Sequence, residues 1–244
     1  MVKAKTATAK NRVSANGRDT AQAKRTIGIE PLNIGKIDVA IKSLSLLCVH
    51  KFDEKSKTQM LEKQMKSAKS KQAKEARCPE QEFLGALYWA EGEPPEGNYD
   101  EESKTWAYDP KVVAKSLKSG VFGVPITGFK NAMISACRAT DFTMTEMKQL
   151  IFVESPEHHD LAIIKSDSPP EMREDMVRLA TGTPMVRFRP YWPTWSTTLR
   201  ITYNANMVSD SQVLNLLNLA GYSVGICEGR PEKSSLGWGR FTVC

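Results

Sequence analysis

At 244 residues, 41% hydrophobic and with a formal net charge of +6, the chain can bury one sizeable core and carries a charge that favours acidic partners. It holds no run of about eighteen apolar residues, and its first residues lack a signal peptide's apolar stretch, so a soluble, cytoplasmic protein is expected. Five scattered cysteines, Cys48, Cys78, Cys137, Cys227 and Cys244, show no Cys-x-x-Cys spacing, which predicts reduced thiols and no zinc site.

Residues 1–35 set Lys3, Lys5, Lys10, Arg12, Arg18, Lys24 and Arg25 among small polar residues. Such a segment buries too little to offset its ordering entropy, and a disordered basic arm is expected. From Ile37 the pattern alternates through Val39 and Ile41, slips by one near Lys42-Ser43, and resumes at Leu44, Leu46 and Cys48: a long strand with a bend. Asp53 to Arg77 predicts a lysine-rich helix with a thin apolar stripe at Met60, Leu61 and Met65. Cys78 to Gly120, centred on Glu-Gly-Glu-Pro-Pro-Glu-Gly, predicts an inserted loop tied down by aromatics. Phe129, Ala132, Met133, Ala136 and Cys137 then recur at helical spacing behind Thr127 as N-cap.

Gln149–Val153 and Leu161–Lys165 predict two strands of a hairpin around Pro156–Asp160. Residues 166–184 predict a loop with one helical turn, and Met185–Arg189 and Thr197–Tyr203 predict strands. Ser209 and Gln212 form a Ser-x-x-Gln capping box, Val213, Leu216, Leu217 and Ala220 a buried stripe, and Gly221 a left-handed C-terminal cap. Tyr222–Cys227 and Trp238–Val243 supply the last strands. The order is βαββαβ: an α+β domain over residues 36–244 whose four-stranded antiparallel sheet carries two helices on one face, with insertions at about 52–120 and 166–196.

Catalytic signatures are missing. No phosphate loop, serine elbow or His-Glu-x-x-His is present, and the His158-His159-Asp160 doublet has only His50 to complete a metal site. No catalytic residue, metal or cofactor is assigned. Charge points instead to binding. Arg187 and Arg189 alternate along one strand and Arg200 along another, which gives a sheet with one apolar and one arginine-bearing face. Tyr191, Trp192 and Trp195 fill a proline-bounded turn and suit stacking on bases, a core, or a subunit interface, the role assigned to them. Near the C-terminus Gly229, Arg230, Lys233, Gly237, Gly239 and Arg240 form a glycine-rich basic loop suited to a phosphate backbone, or to a plain hairpin turn.

Gly123-Val124-Pro125-Ile126-Thr127-Gly128-Phe129-Lys130, a late helix, and the terminal Gly237-Trp238-Gly239-Arg240-Phe241 together resemble the RAMP superfamily, whose members include backbone subunits coating guide RNA in CRISPR effector complexes. The likeness spans about residues 36–50 and 121–243 and extends to phage-encoded proteins with the same terminal pattern. It implies a ferredoxin-like, RNA-recognition-type fold that binds a single strand through its backbone and polymerises head to tail along it. It places Gly229, Arg230, Lys233, Gly237 and Gly239 near the strand, and Lys130 and Arg138 near phosphates. The expected function is thus single-stranded nucleic-acid binding without catalysis, RNA favoured, in a cytoplasmic ribonucleoprotein. A phage single-stranded DNA-binding or annealing protein, and a virion or anti-defence component, are the alternatives.

Overall fold

Alternating side chains build the first strand: β1 (Ile34–Ser43) buries Val39 and Ile41 and exposes Lys36, Asp38 and Lys42, then bends into β2 (Leu47–Cys48). The computed structural model describes residues 31–52, 54–65, 77–178 and 182–244. The basic arm expected over 1–35 thus falls almost wholly outside the described residues, as does the second half of the lysine-rich helix. Its first half, α1 (Glu54–Met65), leaves Met60, Leu61 and Met65 exposed.

Cys78–Gly120, expected as a loop, holds regular structure. Here lie α2 (Pro79–Gly85), β3 (Trp89–Glu91), the β4 (Asn98–Asp100) and β5 (Thr105–Ala107) hairpin, and α3 (Pro110–Ser119). Proline at the start of α2 suits a first turn, and Phe83, Leu84, Ala86 and Leu87 are buried in or beside the main core. Asp109 caps α3 by accepting from the Lys111 amide at 2.8 Å.

β6 (Val121–Pro125) runs directly into α4 (Ile126–Ala136). Thr127 is not its cap: it lies inside the first turn, and Pro125 at the cap position offers no side-chain hydrogen bond. α5 (Met144–Leu150), which the apolar pattern concealed, is set by a capping box between Thr143 and Glu146. β7 (Ile151–Glu154) and β8 (Leu161–Ile163) are strands but not a hairpin. Each satisfies its backbone elsewhere, β7 on β11 (Ser196–Asn204) and β8 on β6.

Residues expected as loop form β9 (Glu171–Arg178), paired over its length with β10 (Pro184–Trp192). Its alternation is charge against charge, with Met172, Glu174, Met176 and Arg178 exposed and Arg173, Asp175 and Val177 half-buried, so hydropathy could not reveal it. α6 (Asp210–Leu219) keeps the Ser209/Gln212 capping box but does not stop at Gly221. It continues through a wider π-type turn, Ala220–Val224, and ends at Gly225 with φ 70°; Gly221 instead packs against the backbone of Phe241. Tyr222–Cys227 is therefore not a strand, and only β12 (Phe241–Val243) closes the chain.

The fold is mixed α and β with antiparallel sheets. β12, β1, β11 and β7 lie side by side in that order, β1 and β11 in register from Ile34 opposite Asn204 to Lys42 opposite Ser196. β2, β10 and β9 make a second sheet, and β3, β6 and β8 a third. Phe129 and Met133 of α4 and Val213 and Leu217 of α6 share one core with Val39, Ile41, Leu199 and Ile201, so both helices cover the same face of the four-stranded sheet. Among the described residues no helix is long and apolar enough to cross a membrane.

Trp192 and Trp195 belong to that core, which corrects their assignment to a subunit interface. They are 2% and 3% exposed; Trp192 meets Phe122 at 6.0 Å, and Trp195 meets Phe241 at 6.2 Å and donates its indole N–H to the Ser45 carbonyl at 3.0 Å. Three large rings in a short turn are costly in water, and the turn folds two of them inward. Tyr191 stays half-buried with its hydroxyl on Glu171 at 2.6 Å. Trp192→Ala is expected to cost about 3–5 kcal/mol in urea denaturation; a loss below about 1 kcal/mol would return the ring to the surface.

Candidate nucleic-acid interface

The glycine-rich run is a folded wall and not an open hairpin. Its amides are fixed from outside and within: Glu228 donates to Cys48 O (3.0 Å), Gly239 to Leu46 O (2.7 Å), Ile226 to Gly239 O (3.0 Å) and Trp238 to Gly229 O (3.0 Å). Gly229 and Gly239 have positive φ, 66° and 64°, and a Cβ there would strike the Trp238 ring and the Ile226 carbonyl. Their lack of a side chain serves internal packing. Gly237, at φ 70°, faces open space. Gly239→Ala should therefore lower the melting temperature clearly more than Gly237→Ala, which bears only the backbone strain of about 1 kcal/mol. Equal shifts would show the wall is not tightly packed.

This wall closes a cavity of about 250 Å³. His50 follows β2, Tyr88 precedes β3, and Thr127, Gly128, Asn131 and Ser135 come from one stripe of α4 at helical spacing. Residues 224–228, Arg230 and Glu232 form the remaining side. The first turn of α4 lacks a side-chain cap and borders this space through Thr127 and Gly128.

The expected cationic residues divide into two groups. Arg230 lines the cavity, its guanidinium on the Cys227 carbonyl at 3.0 Å and beside Glu232 at 3.4 Å. Arg138, just past α4, reaches Glu232 at 3.3 Å with most of its side chain exposed. Lys233 acts on the same carboxylate, and Arg187 stands close enough to His50 to depress its pKa. Arg138, Arg230 and Lys233 thus surround Glu232 at one side of the cavity, and Arg187 acts on His50, another of its lining residues.

Arg200 and Lys130 lie elsewhere. Arg200 projects from the sheet face opposite α4 and α6, held by both oxygens of Asp38 at 2.7 Å. Lys130 sits over the Phe152 ring at 4.2 Å, its pKa lowered by desolvation and then by Lys148. Arg189 is corrected more sharply. Its side chain is 8% exposed, lying between Glu228 at 3.2 Å and Asp175 at 3.4 Å, the latter an ion pair without hydrogen-bond alignment. A guanidinium so enclosed joins β9, β10 and the C-terminal wall and is withheld from phosphates.

The electrostatics of the cavity suit binding. Desolvation, then Arg187, holds His50 below its ordinary range, which favours the neutral imidazole at pH 7. Burial pushes the Cys48 and Cys227 thiols up to about 12, so neither is a nucleophile. Among the described residues no three His, Cys, Asp or Glu side chains are grouped to hold a metal ion. Glu232 stays below the usual carboxylate range: desolvation opposes this, but the Ser135 hydroxyl, Lys233 and Arg230 outweigh it. His50, Tyr88, Asn131, Ser135, Glu228 and Glu232 escaped the sequence reading as site residues, because no local motif links segments that only the fold brings together.

No protein-family model matches this sequence, and no curated protein matches it. Among solved structures, a chain in the cryo-EM structure of the Type III-B Cmr-beta bound to cognate target RNA aligns over 86% of this chain, at 9% identity and a TM-score of 0.43. This chain spans 59% of that chain's length. The crystal structure of Cmr6 from Pyrococcus furiosus aligns over 88% of this chain and 100% of its own, at 11% identity and a TM-score of 0.31.

Proposed function

We propose that this chain is a non-enzymatic protein that binds single-stranded nucleic acid, RNA in preference to DNA, as a RAMP-like backbone component. The observation that carries this reading is the grouping of Arg138, Arg230 and Lys233 around Glu232, which lines one cavity, with Arg187 acting on His50 of the same lining. A single strand offers one phosphate per nucleotide, and a cationic rim beside an uncapped helix start suits that repeat. The strand order β12-β1-β11-β7, with α4 between β1 and β7 and α6 between β11 and β12 in the chain, supports a ferredoxin-like, RNA-recognition-type reading of the core. Residues 78–120 and the β9–β10 hairpin are then its insertions. Head-to-tail assembly belongs to the same reading, and exposed Met172 and Met176 of β9 offer apolar side chains for it.

Salt titration of oligonucleotide binding tests the reading. Arg230→Glu with Lys233→Glu should weaken binding and flatten the log–log salt slope by about 0.7 for each phosphate no longer neutralised, while Arg200→Glu leaves the slope unchanged. An unaltered slope in the double variant removes the rim from the binding track.

The β4–β5 hairpin favours a second reading, that of a virion or anti-defence component that binds protein. It carries exposed Asp100, Glu101 and Glu102 beside Tyr99, which meets Trp106 at 5.1 Å. On that reading, oligonucleotides bind this chain no better than an unrelated protein of equal charge.

A further inference from the structure

Two carboxylates line a cavity that Arg230 also lines and that Arg138 and Lys233 adjoin through Glu232. Glu228 and Glu232 share it with Arg230, His50 and Ser135, and Glu232 keeps only 15% of its side chain exposed. Glu228 pairs with the enclosed Arg189 and Glu232 with Arg138 and Arg230, and neither ionised carboxylate attracts a phosphodiester. A carboxylate accepts hydrogen bonds and donates none, so a polynucleotide must meet it with a donor. Phosphodiesters have none. Bases present donors that differ from one base to the next, whereas in RNA every nucleotide carries a 2′-hydroxyl.

Arg230 Nε lies 3.4 Å from Glu232 Oε2, and Arg138 Nη1 lies 3.3 Å from Glu232 Oε1, so each oxygen sits beside a guanidinium. In RNA the 2′-hydroxyl and the phosphate of one nucleotide stand side by side, whatever the base. Both ion pairs are long for charge-assisted contacts, and two carboxylate oxygens offer about four acceptor directions. Arg138, Arg230 and the Ser135 hydroxyl fill about three of these, with the Lys233 charge nearby, which leaves about one direction for a further donor.

We infer that this cavity reads the ribose of RNA, with Glu232 accepting the 2′-hydroxyl and Glu228 flanking it, while Arg230 and Arg138 hold the adjacent phosphate. The inference rests on the single-strand reading above and adds the chemistry that separates RNA from DNA. Glu232 is here a specificity residue and takes part in no bond making.

The test measures affinities of the full chain for four oligomers by fluorescence anisotropy: RNA, DNA of the same sequence, 2′-O-methyl RNA, and an RNA of different base composition. The unaltered protein should bind RNA about tenfold or more tighter than DNA, as expected for a charge-assisted hydrogen bond, and reject the 2′-O-methyl form equally, with little dependence on base. Glu232→Ala, which removes the acceptor, should bring the RNA-to-DNA ratio close to one, chiefly by weakening RNA, whereas Glu232→Gln, whose amide oxygen still accepts but carries no charge, should lower the ratio only in part. Equal affinity for RNA and DNA in the unaltered protein overturns the inference while leaving single-strand binding standing. A preference that follows the base and not the sugar overturns it too. Binding of neither oligomer overturns this inference and the reading beneath it together. The ligand series uses unaltered protein, so its outcome does not depend on how the variant folds.

Discussion

The return of the chain's end onto its beginning is the constraint on which the rest depends. Gly239 donates to Leu46, Ile226 to Gly239, and Glu228 to Cys48, so residues 225–240 are hydrogen-bonded to the bend and second strand that follow β1. Without those bonds the C-terminal wall has no position, and the cavity beside α4 loses one side. Glycine at 239 is required because Ile226 occupies the space a Cβ would need, and Phe241, wholly buried two residues later, anchors the segment against Phe129 and Trp195. Core packing and site geometry are thus joined in one short run.

Charge is spent in two ways in this molecule. Arg189 is enclosed between Asp175 and Glu228, and Arg200 is clasped by Asp38, so both serve the architecture. Arg138, Arg230 and Lys233 share one carboxylate, Glu232, which leaves the cationic side in excess at the cavity mouth. Net charge by itself cannot separate these cases. The distinction matters for function, because only an incompletely compensated cation favours counterion release from a nucleic acid.

How much was legible follows from how local each signal is. β1, β11, α4 and α6 were readable because each buries one face, and burial leaves a period of 2 or 3.6. β9 was not, since its half-buried side holds Arg173 and Asp175 in an ion pair at 2.7 Å. Core residues that pack by long-range contact also escaped: α2 looked like part of a loop, and Trp192 and Trp195 like a surface turn. The arginines were read as one class and not sorted by role, because their carboxylate partners lie far away in sequence.

Sequence alone determined the element types at the periodic segments, the capping box of α6, the basic character of the chain and the glycine-dependence of its C-terminal loop. These are properties of neighbouring residues, set by side-chain shape and backbone freedom. Tertiary structure decided which arginines are neutralised, which aromatic rings are buried, and that His50, Tyr88, α4 and Glu232 surround one space. Such facts are relations between distant segments, and they exist only once antiparallel pairing and burial have fixed where each segment lies.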